Sequence, residues 1–411
     1  MPAEQTDLLI LGAGAAGLVA AAFAARGGIR TRILEKGRQS GVKILVAGGG
    51  HCNLTHDGAV GAVLEGFGLA AGFLAPSMRA FSPRAVRRHF TRLGVPTYVG
   101  ERAEVWPVSR SARQVRDALE ADARAGGAEI RVEAAATAVE RTARGFRVIT
   151  PAGVARCRRL LLATGGMSYP KTGTTGDGYR LAGQLGHGLV EPVPALVPLV
   201  VEAPWLRVLA GIALDDVAVR LRTRGGEELG ASRGPVVLTH KGLSGPAAMD
   251  LGGRVARHGR RAVLAIDWRP EVRAEAVDRD LRAPAAGGGR LARRLLAGWV
   301  PERLATALAA VAGVPADRTA AQLRIEERRA LVGALKETHV AVAGTLGFGR
   351  AEVTAGGVPL EEVDPVRLES RIVPGLFFAG EVLDYDGRLG GYNLQAAFCT
   401  GKAAGLAAAA P

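Results

Sequence analysis

The amino-acid sequence predicts an α/β fold: a parallel-sheet nucleotide-binding domain split by an inserted unit that is β-rich first and helical second. Three observations carry this. Asp7 to Glu35 reads as strand, glycine turn, helix, strand and acid. Arg159–Gly166 and Gly375–Ala379 are short apolar runs ending in small residues, as buried strands do. Between them the texture shifts from alternating strands to Ala, Leu, Arg and Glu, and then back. The expected division is 1–195 for the first part of the nucleotide domain, 196–345 for the insertion and 346–411 for the last part.

The opening unit is the most specific. Leu8-Leu9-Ile10-Leu11 is an apolar run of strand length, and Gly12-Ala13-Gly14-Ala15-Ala16-Gly17 follows it at once as G-x-G-x-x-G. Ala15 to Arg26 is rich in Ala and Leu without proline, Gly27-Gly28 stops it, and Arg30 to Leu34 is the next strand. In such a unit Gly12 permits the tight turn, Gly14 lets the backbone approach a pyrophosphate and Gly17 lets helix and strand pack closely. The N-H groups of Ala15 and Ala16 open the helix toward an anion. Glu35, 18 residues past Gly17, stands where a carboxylate accepts both hydroxyls of an adenosine ribose and repels a 2′-phosphate, which favours FAD or NAD over NADP.

Composition narrows the class. Hydrophobic content of 48% fits a folded globular chain, and no apolar run approaches the roughly 18 to 20 residues that span a bilayer. Met1 to Asp7 is short and acidic, with no room for a signal peptide, so a cytoplasmic protein is expected. Cys52, Cys157 and Cys399 are far apart and odd in number, giving neither a disulfide framework nor a metal spacing. The net charge is +14, from 53 basic and 39 acidic residues, and only six of the 53 are lysines. A GC-rich genome explains arginine in place of lysine. It does not explain the excess over acids, which suits a polyanion such as RNA.

Along the chain, Lys43-Ile44-Leu45-Val46 leads into Ala47-Gly48-Gly49-Gly50-His51-Cys52-Asn53, a glycine loop whose backbone is expected to pass close to the cofactor. Arg84, Arg87, Arg88 and Arg92 recur at helical spacing as a solvated face. Ser111 to Ala125 is a helix with Val115, Leu119 and Ala123 inward, and Glu129–Glu133, Ala136–Arg141 and Gly145–Thr150 read as a β-meander. Lys171, Thr172, Thr174 and Asp177 form a polar loop that either shapes a pocket or simply turns, with Asp177 capping the next helix. Strands at Leu196–Glu202, Val217–Arg224, Val236–Thr239 and Ala262–Asp267 precede helices that reach about Leu335, with a loop at Gly287-Gly288-Gly289. The nucleotide domain resumes near Gly349–Gly357 and ends in a helix from about Tyr392, whose Ala403–Ala410 tail reads as a fraying end.

Nucleotide unit, meander, then a strand ending Ala-Thr-Gly is the plan of the glutathione-reductase-like FAD-binding Rossmann domain, and the resemblance at this level is one of fold. A closer resemblance rests on Ile10 to Glu35, Gly48–Thr55, Ala163–Gly178, Leu238–Pro246, Glu352–Val358 and Phe378–Gly387 with Gly390–Gln395. In these stretches, which span the chain, it resembles the bacterial BaiN/RdsA-like (YhiN-like) NAD(P)/FAD-dependent flavoproteins. One departure stands out: where the family loop reads Gly-Arg-Cys-Asn, this chain has His51, a pH-dependent charge in place of a fixed one.

The resemblance implies bound FAD, an inserted substrate-side domain and reduction of a conjugated carbon–carbon double bond. It places Lys36, Lys43, Gly49, Gly50, Asn53, Thr164 and Gly165 at the cofactor, with Gly380, Glu381, Gly391, Tyr392 and Asn393 from the last part. Family members are linked to dihydrouridine in large-subunit ribosomal RNA and to bile-acid enones. Both reactions need hydride at the β carbon and a proton at the α carbon. Candidates for the acid are Cys52, whose thiol is protonated at neutral pH at an ordinary pKa of about 8.5, and His240 or Tyr392. NAD(P)H is a candidate electron donor, docking without a second complete fingerprint. Three functions compete: an FAD enzyme acting on uracil in ribosomal RNA, an FAD reductase of a small enone, and a flavin-bound RNA-binding protein without turnover.

Overall fold

In the computed structural model, residues 6–282 and 289–411 are described, so Met1 to Gln5 and the Gly287-Gly288 part of the expected loop lie outside the described residues. The chain forms two compact units. One runs up to Pro194 and resumes over Glu352–Pro411, and the other is Ala195–Ala351.

The first unit is built on strands that run parallel because each is linked to the next by a helix or longer excursion. β1 (Thr6–Leu11) lies between β2 (Thr31–Leu34) and the end of β9 (Gly153–Leu162), with Ile10 opposite both Ile33 and Leu161. β6 (Glu129–Arg131) pairs with the far side of β2, and β18 (Leu376–Phe378) with the far side of β9. This gives the parallel order β6-β2-β1-β9-β18, the doubly wound arrangement expected from the sequence. Leu8, Leu9, Ile10, Leu160, Leu161, Leu162 and Phe378 are fully buried, which is why these strands read as continuous apolar runs rather than alternations.

One expected element changes place. Glu129 to Arg131 is not the first strand of a meander but the parallel edge of the main sheet. The meander is β7 (Ala138–Thr142), β8 (Gly145–Thr150) and the first half of β9, paired antiparallel. β9 therefore joins the parallel and antiparallel parts of one sheet: Gly153 to Cys157 pair with β8, and Cys157 to Leu162 pair with β1. The helix Ala15–Arg26 is packed against the C-terminal helix Tyr392–Ala409 at backbone distance, since a Cβ on Gly401 would fall 2.4 Å from the Ala16 carbonyl oxygen. That helix continues to Ala409, so most of the Ala-rich tail is ordered helix. Two small sheets complete this unit: β3 (Thr55–His56) and β4 (Thr97–Val99) flank β5 (Glu104–Pro107), and β10 (Val190–Ala195) pairs with β17 (Val353–Gly357).

The second unit is a closed antiparallel barrel of β11 (Leu199–Val201), β14 (Gly242–Ser244), β13 (Glu228–Thr239), β12 (Ala213–Thr223), β15 (Ala262–Asp267) and β16 (Thr338–Thr345), joined edge to edge when β16 returns to β11. Helices Ala274–Arg282, Glu302–Val311 and Ile325–Lys336 fall between β15 and β16. Trp268 is fully buried there, its indole N-H donating to Thr338 Oγ1 at 2.8 Å. Among the described residues no helix is long and apolar enough to cross a membrane.

Candidate active site

Open parallel sheets bind ligands beyond the carboxyl ends of their strands, and the residues gathered beyond β1, β9 and β18 form two connected constellations. The first is the glycine turn. Gly12 has φ of 102°, and a Cβ there would lie 2.5 Å from the Ala163 carbonyl oxygen. A Cβ on Gly17 would lie 2.0 Å from the Gly12 carbonyl oxygen, so both positions require glycine. A Cβ on Gly14 would meet nothing within 4 Å. The helix that opens at Ala15 and Ala16 has no side-chain cap and no acid in its first turn. Its first N-H groups are thus left without a capping side chain, the chemistry a pyrophosphate needs.

Glu35 organises that turn from the end of β2. Its Oε2 accepts the Ala13 N-H and its Oε1 the Gly37 N-H, each at 2.8 Å. Each oxygen keeps a second lone pair for a ribose hydroxyl. Lys36 holds the Lys171–Asp177 loop: its ammonium donates to Thr175 Oγ1 at 2.5 Å and is ion-paired with Asp177. Burial opposes the charged form of Asp177, but Lys36 and Thr175 outweigh it and hold the carboxyl below the usual range. Asp177 is the first helical residue, and the cap position belongs to Gly176, at φ of 80°.

The second constellation surrounds Lys43. It stands on the short helix Val42–Val46, and its ammonium reaches Glu381 Oε2 and Ser168 Oγ, both at 2.6 Å. Ser168 Oγ also lies 3.1 Å from Glu381 Oε1 and donates to the Glu352 carbonyl oxygen at 3.2 Å. The Thr354 N-H donates to Glu381 Oε1 at 2.9 Å, while Thr354 Oγ1 accepts the Met167 and Ser168 N-H groups at 2.8 and 3.2 Å. Beside it Tyr169 O-H donates to Glu352 Oε1 at 3.1 Å. Burial pushes the Glu352 carboxyl up, and neither the Tyr169 hydroxyl nor the Lys43 ammonium brings it back.

Ser168, Tyr169, Glu352 and Thr354 were not singled out by the sequence reading. A lone acid directly before the apolar, glycine-ended run Val353–Gly357 is the one signal that marks Glu352.

The glycine loop is a chain of left-handed turns, with φ of 55° at Gly48, 65° at Gly49 and 90° at Gly50. His51 is exposed, and its Nδ1 lies 2.9 Å from the Arg110 carbonyl oxygen. Asn53 and Thr164 each bury an oxygen, Oδ1 and Oγ1, without a hydrogen-bond partner among the described residues. An orphaned buried acceptor costs about 1–3 kcal/mol, and a polar cofactor atom beside either would offset it. A Cβ on Gly391 would fall 2.6 Å from that Asn53 oxygen, so this loop and the start of the C-terminal helix meet. Gly165 and Gly380, at φ of 72° and 78°, turn the chain beyond β9 and β18. Asn393 is engaged with the backbone of Gly387, accepting its N-H at 2.9 Å and donating to its carbonyl at 3.0 Å. The orphaned oxygens, the open face of Gly14 and the Glu35 carboxylate together fit FAD.

The three residues expected to supply a proton differ in their surroundings. Cys52 has no exposed surface and burial pushes its thiol up to about 12, so it is core rather than loop surface. Tyr392 is buried at the start of the C-terminal helix, its ring stacked on His56 with centroids 4.7 Å apart. His240 is exposed in the turn between β13 and β14 of the other unit. Among the described residues, no group of three His, Cys, Asp or Glu side chains is placed to hold a metal ion.

The family model described as HI0933-like protein Rossmann domain matches residues 6–407. The chain is 32% identical over 403 residues to the ribosomal RNA dihydrouridine synthase of Escherichia coli K12, covering 95% of each. It is also 32% identical over 410 residues to the 3-dehydro-bile acid delta(4,6)-reductase of Clostridium scindens, covering 97% of this chain and 98% of that protein. The ribosomal RNA dihydrouridine synthase of Haemophilus influenzae is 28% identical over 420 residues, 98% of each.

Proposed function

We propose, from the premise that the chain belongs to the HI0933-like Rossmann family and is an FAD-dependent oxidoreductase, that it reduces the C5–C6 double bond of uracil in large-subunit ribosomal RNA. Reduced FAD, when bound, supplies hydride to the electron-poor carbon. The protein's part is to hold the cofactor through the Gly12–Gly17 turn and Glu35, to admit an unstacked base, and to deliver a proton. A uracil within folded RNA has to leave its stack first, at a cost of a few kcal/mol that phosphate contacts offset.

The distribution of charge carries the choice of substrate. Within Ala195–Ala351 there are 24 basic and 16 acidic residues, a net +8 in the smaller of the two units. Around the β12–β13 hairpin, Arg220, Arg224, Arg254, Arg257 and Arg261 are exposed, and none is in an ion pair among the described residues. They are neighbours: the Arg224 N-H donates to the Arg261 carbonyl at 3.0 Å, and a Cβ on Gly230 would lie 2.7 Å from the Arg254 guanidinium. A small enone needs no such field, and a phosphate backbone does.

Nucleoside analysis of ribosomal RNA from a deletion strain tests this directly: dihydrouridine should vanish and return on complementation. Binding of the purified protein to unmodified ribosomal RNA should weaken with salt, each neutralised phosphate adding roughly 0.7 to 0.9 to the log–log slope. Arg254→Ala with Arg257→Ala should flatten that slope. The similarity to the bile-acid reductase supports a second reading, reduction of a small enone. Unchanged dihydrouridine in the deletion strain, together with enone-driven oxidation of the reduced enzyme, would select it.

A further inference from the structure

We propose that Tyr169 and Glu352 form the proton relay of the reduction, the Tyr169 phenol delivering the proton to the α carbon and the Glu352 carboxyl restoring it. This rests on the reading that the enzyme reduces a conjugated double bond, and it is the same for uracil or an enone.

Four observations lead there. Tyr169 is held at φ of 50°, a left-handed conformation that a bulky side chain rarely adopts and that persists only where its surroundings impose it. That conformation sets its hydroxyl 3.1 Å from Glu352 Oε1, with both residues partly exposed. The two acids of the cluster have been given different partners. Glu381 has the Lys43 ammonium at 2.6 Å, the Thr354 N-H and Ser168, whereas the Glu352 carboxylate has the Tyr169 phenol. Finally, the cluster lies beyond β9 and β18, joined through Ser168 and Lys43 to residues expected at the cofactor. The buried thiol at Cys52 offers no comparable donor.

The charges facing Glu352 are those of Lys43 and, through Ser168, of Glu381. Burial outweighs Lys43 and raises the carboxyl, so Glu352 keeps its proton above the ordinary carboxylate range. The relay needs that protonated form, and its rate should therefore fall as pH rises through the raised value.

The step balances. The β carbon takes the hydride that reduced flavin supplies, and the π electrons form the new C-H bond at the α carbon with the phenol proton. The O-H electrons remain on Tyr169 as phenolate, which takes the Glu352 proton, and solvent reprotonates the carboxylate. One hydride and one proton are added in all.

The test uses the FAD-loaded full chain, reduced anaerobically and mixed with unmodified ribosomal RNA or with a bile-acid enone, while flavin reoxidation is followed across pH. Tyr169→Phe and Glu352→Gln are near-isosteric and should retain FAD. Tyr169→Phe should slow reoxidation by about 10²- to 10⁴-fold, the usual contribution of a general acid. Glu352→Gln should slow it and abolish the fall at high pH. Independently of turnover, infrared titration of the apoprotein should show a protonated carboxyl losing its proton above the ordinary range, present in the parent and Tyr169→Phe and missing in Glu352→Gln. If neither probe reoxidises the parent, the reduction reading falls and the relay with it. If the parent is reoxidised and both variants keep its rate and pH profile, the relay alone falls.

Discussion

Replacing Glu35 by glutamine is a sharper test of the dinucleotide turn than deleting the side chain. Both carboxylate oxygens accept from backbone N-H groups, Oε2 from Ala13 and Oε1 from Gly37, at 2.8 Å each. An amide has one acceptor oxygen, so Gln at this position satisfies one N-H and turns its own NH₂ against the other. Hydrogen bonds to a charged group contribute about 1.5–3 kcal/mol each, and neutral ones about 0.5–1.5 kcal/mol. The substitution removes one charged bond and reduces the other to neutral strength. Because Glu35 is partly exposed, water recovers some of the loss, leaving about 1–3 kcal/mol. The Ala13 N-H lies between Gly12 and Gly14, so the loss falls on the loop that receives the pyrophosphate. FAD affinity should drop roughly five- to a hundredfold. Titration of apoprotein with FAD, followed by flavin fluorescence, measures it. Glu35→Ala, which lets water reach both N-H groups, should be no worse than Glu35→Gln. A Gln variant that binds FAD within twofold of the parent would refute the argument.

Two further outcomes follow from packing. Gly401→Val puts a Cβ 2.4 Å from the Ala16 backbone oxygen, where no flexible side chain can give way. It should destabilise the first unit by about 1–3 kcal/mol or more, seen as a lower melting temperature and earlier flavin release, and an unchanged melt would mean that the helices are not in contact there. Cys52, Cys157 and Cys399 are all buried with thiols pushed up to about 12, so none should react with iodoacetamide until denaturant is added. Cys52→Ala should keep its flavin and most of its turnover, whereas loss of turnover with full flavin would return Cys52 to the mechanism.

What was legible in the sequence was local. The glycine turn, its helix and Glu35 fall within one short stretch and announce themselves by spacing. Glu129 to Arg131 misled because Ile130 is the buried residue of a three-residue strand flanked by exposed ones, and so short a strand cannot tell a parallel from an antiparallel neighbour. The helix Ala112–Ala125 before it was the better guide, since a helical crossover returns a chain parallel to its sheet. Barrel closure was hidden for a different reason: Leu199 meets Thr345, and no local pattern links such distant positions. The Lys43 cluster is the same problem at the scale of chemistry. Lys43 and Glu381 are 338 positions apart, and Tyr169 and Glu352 are 183 apart. In the sequence, Glu352 and Glu381 are two acids, each beside small apolar residues, and no local pattern says what faces either. The fold distinguishes them by what it sets opposite each one. Glu381 faces the Lys43 ammonium, whereas burial beside Glu352 favours its protonated form against the opposing pull of the Tyr169 phenol and of Lys43. Burial next to the Tyr169 hydroxyl, rather than residue type, is the reason the proton is placed on Glu352.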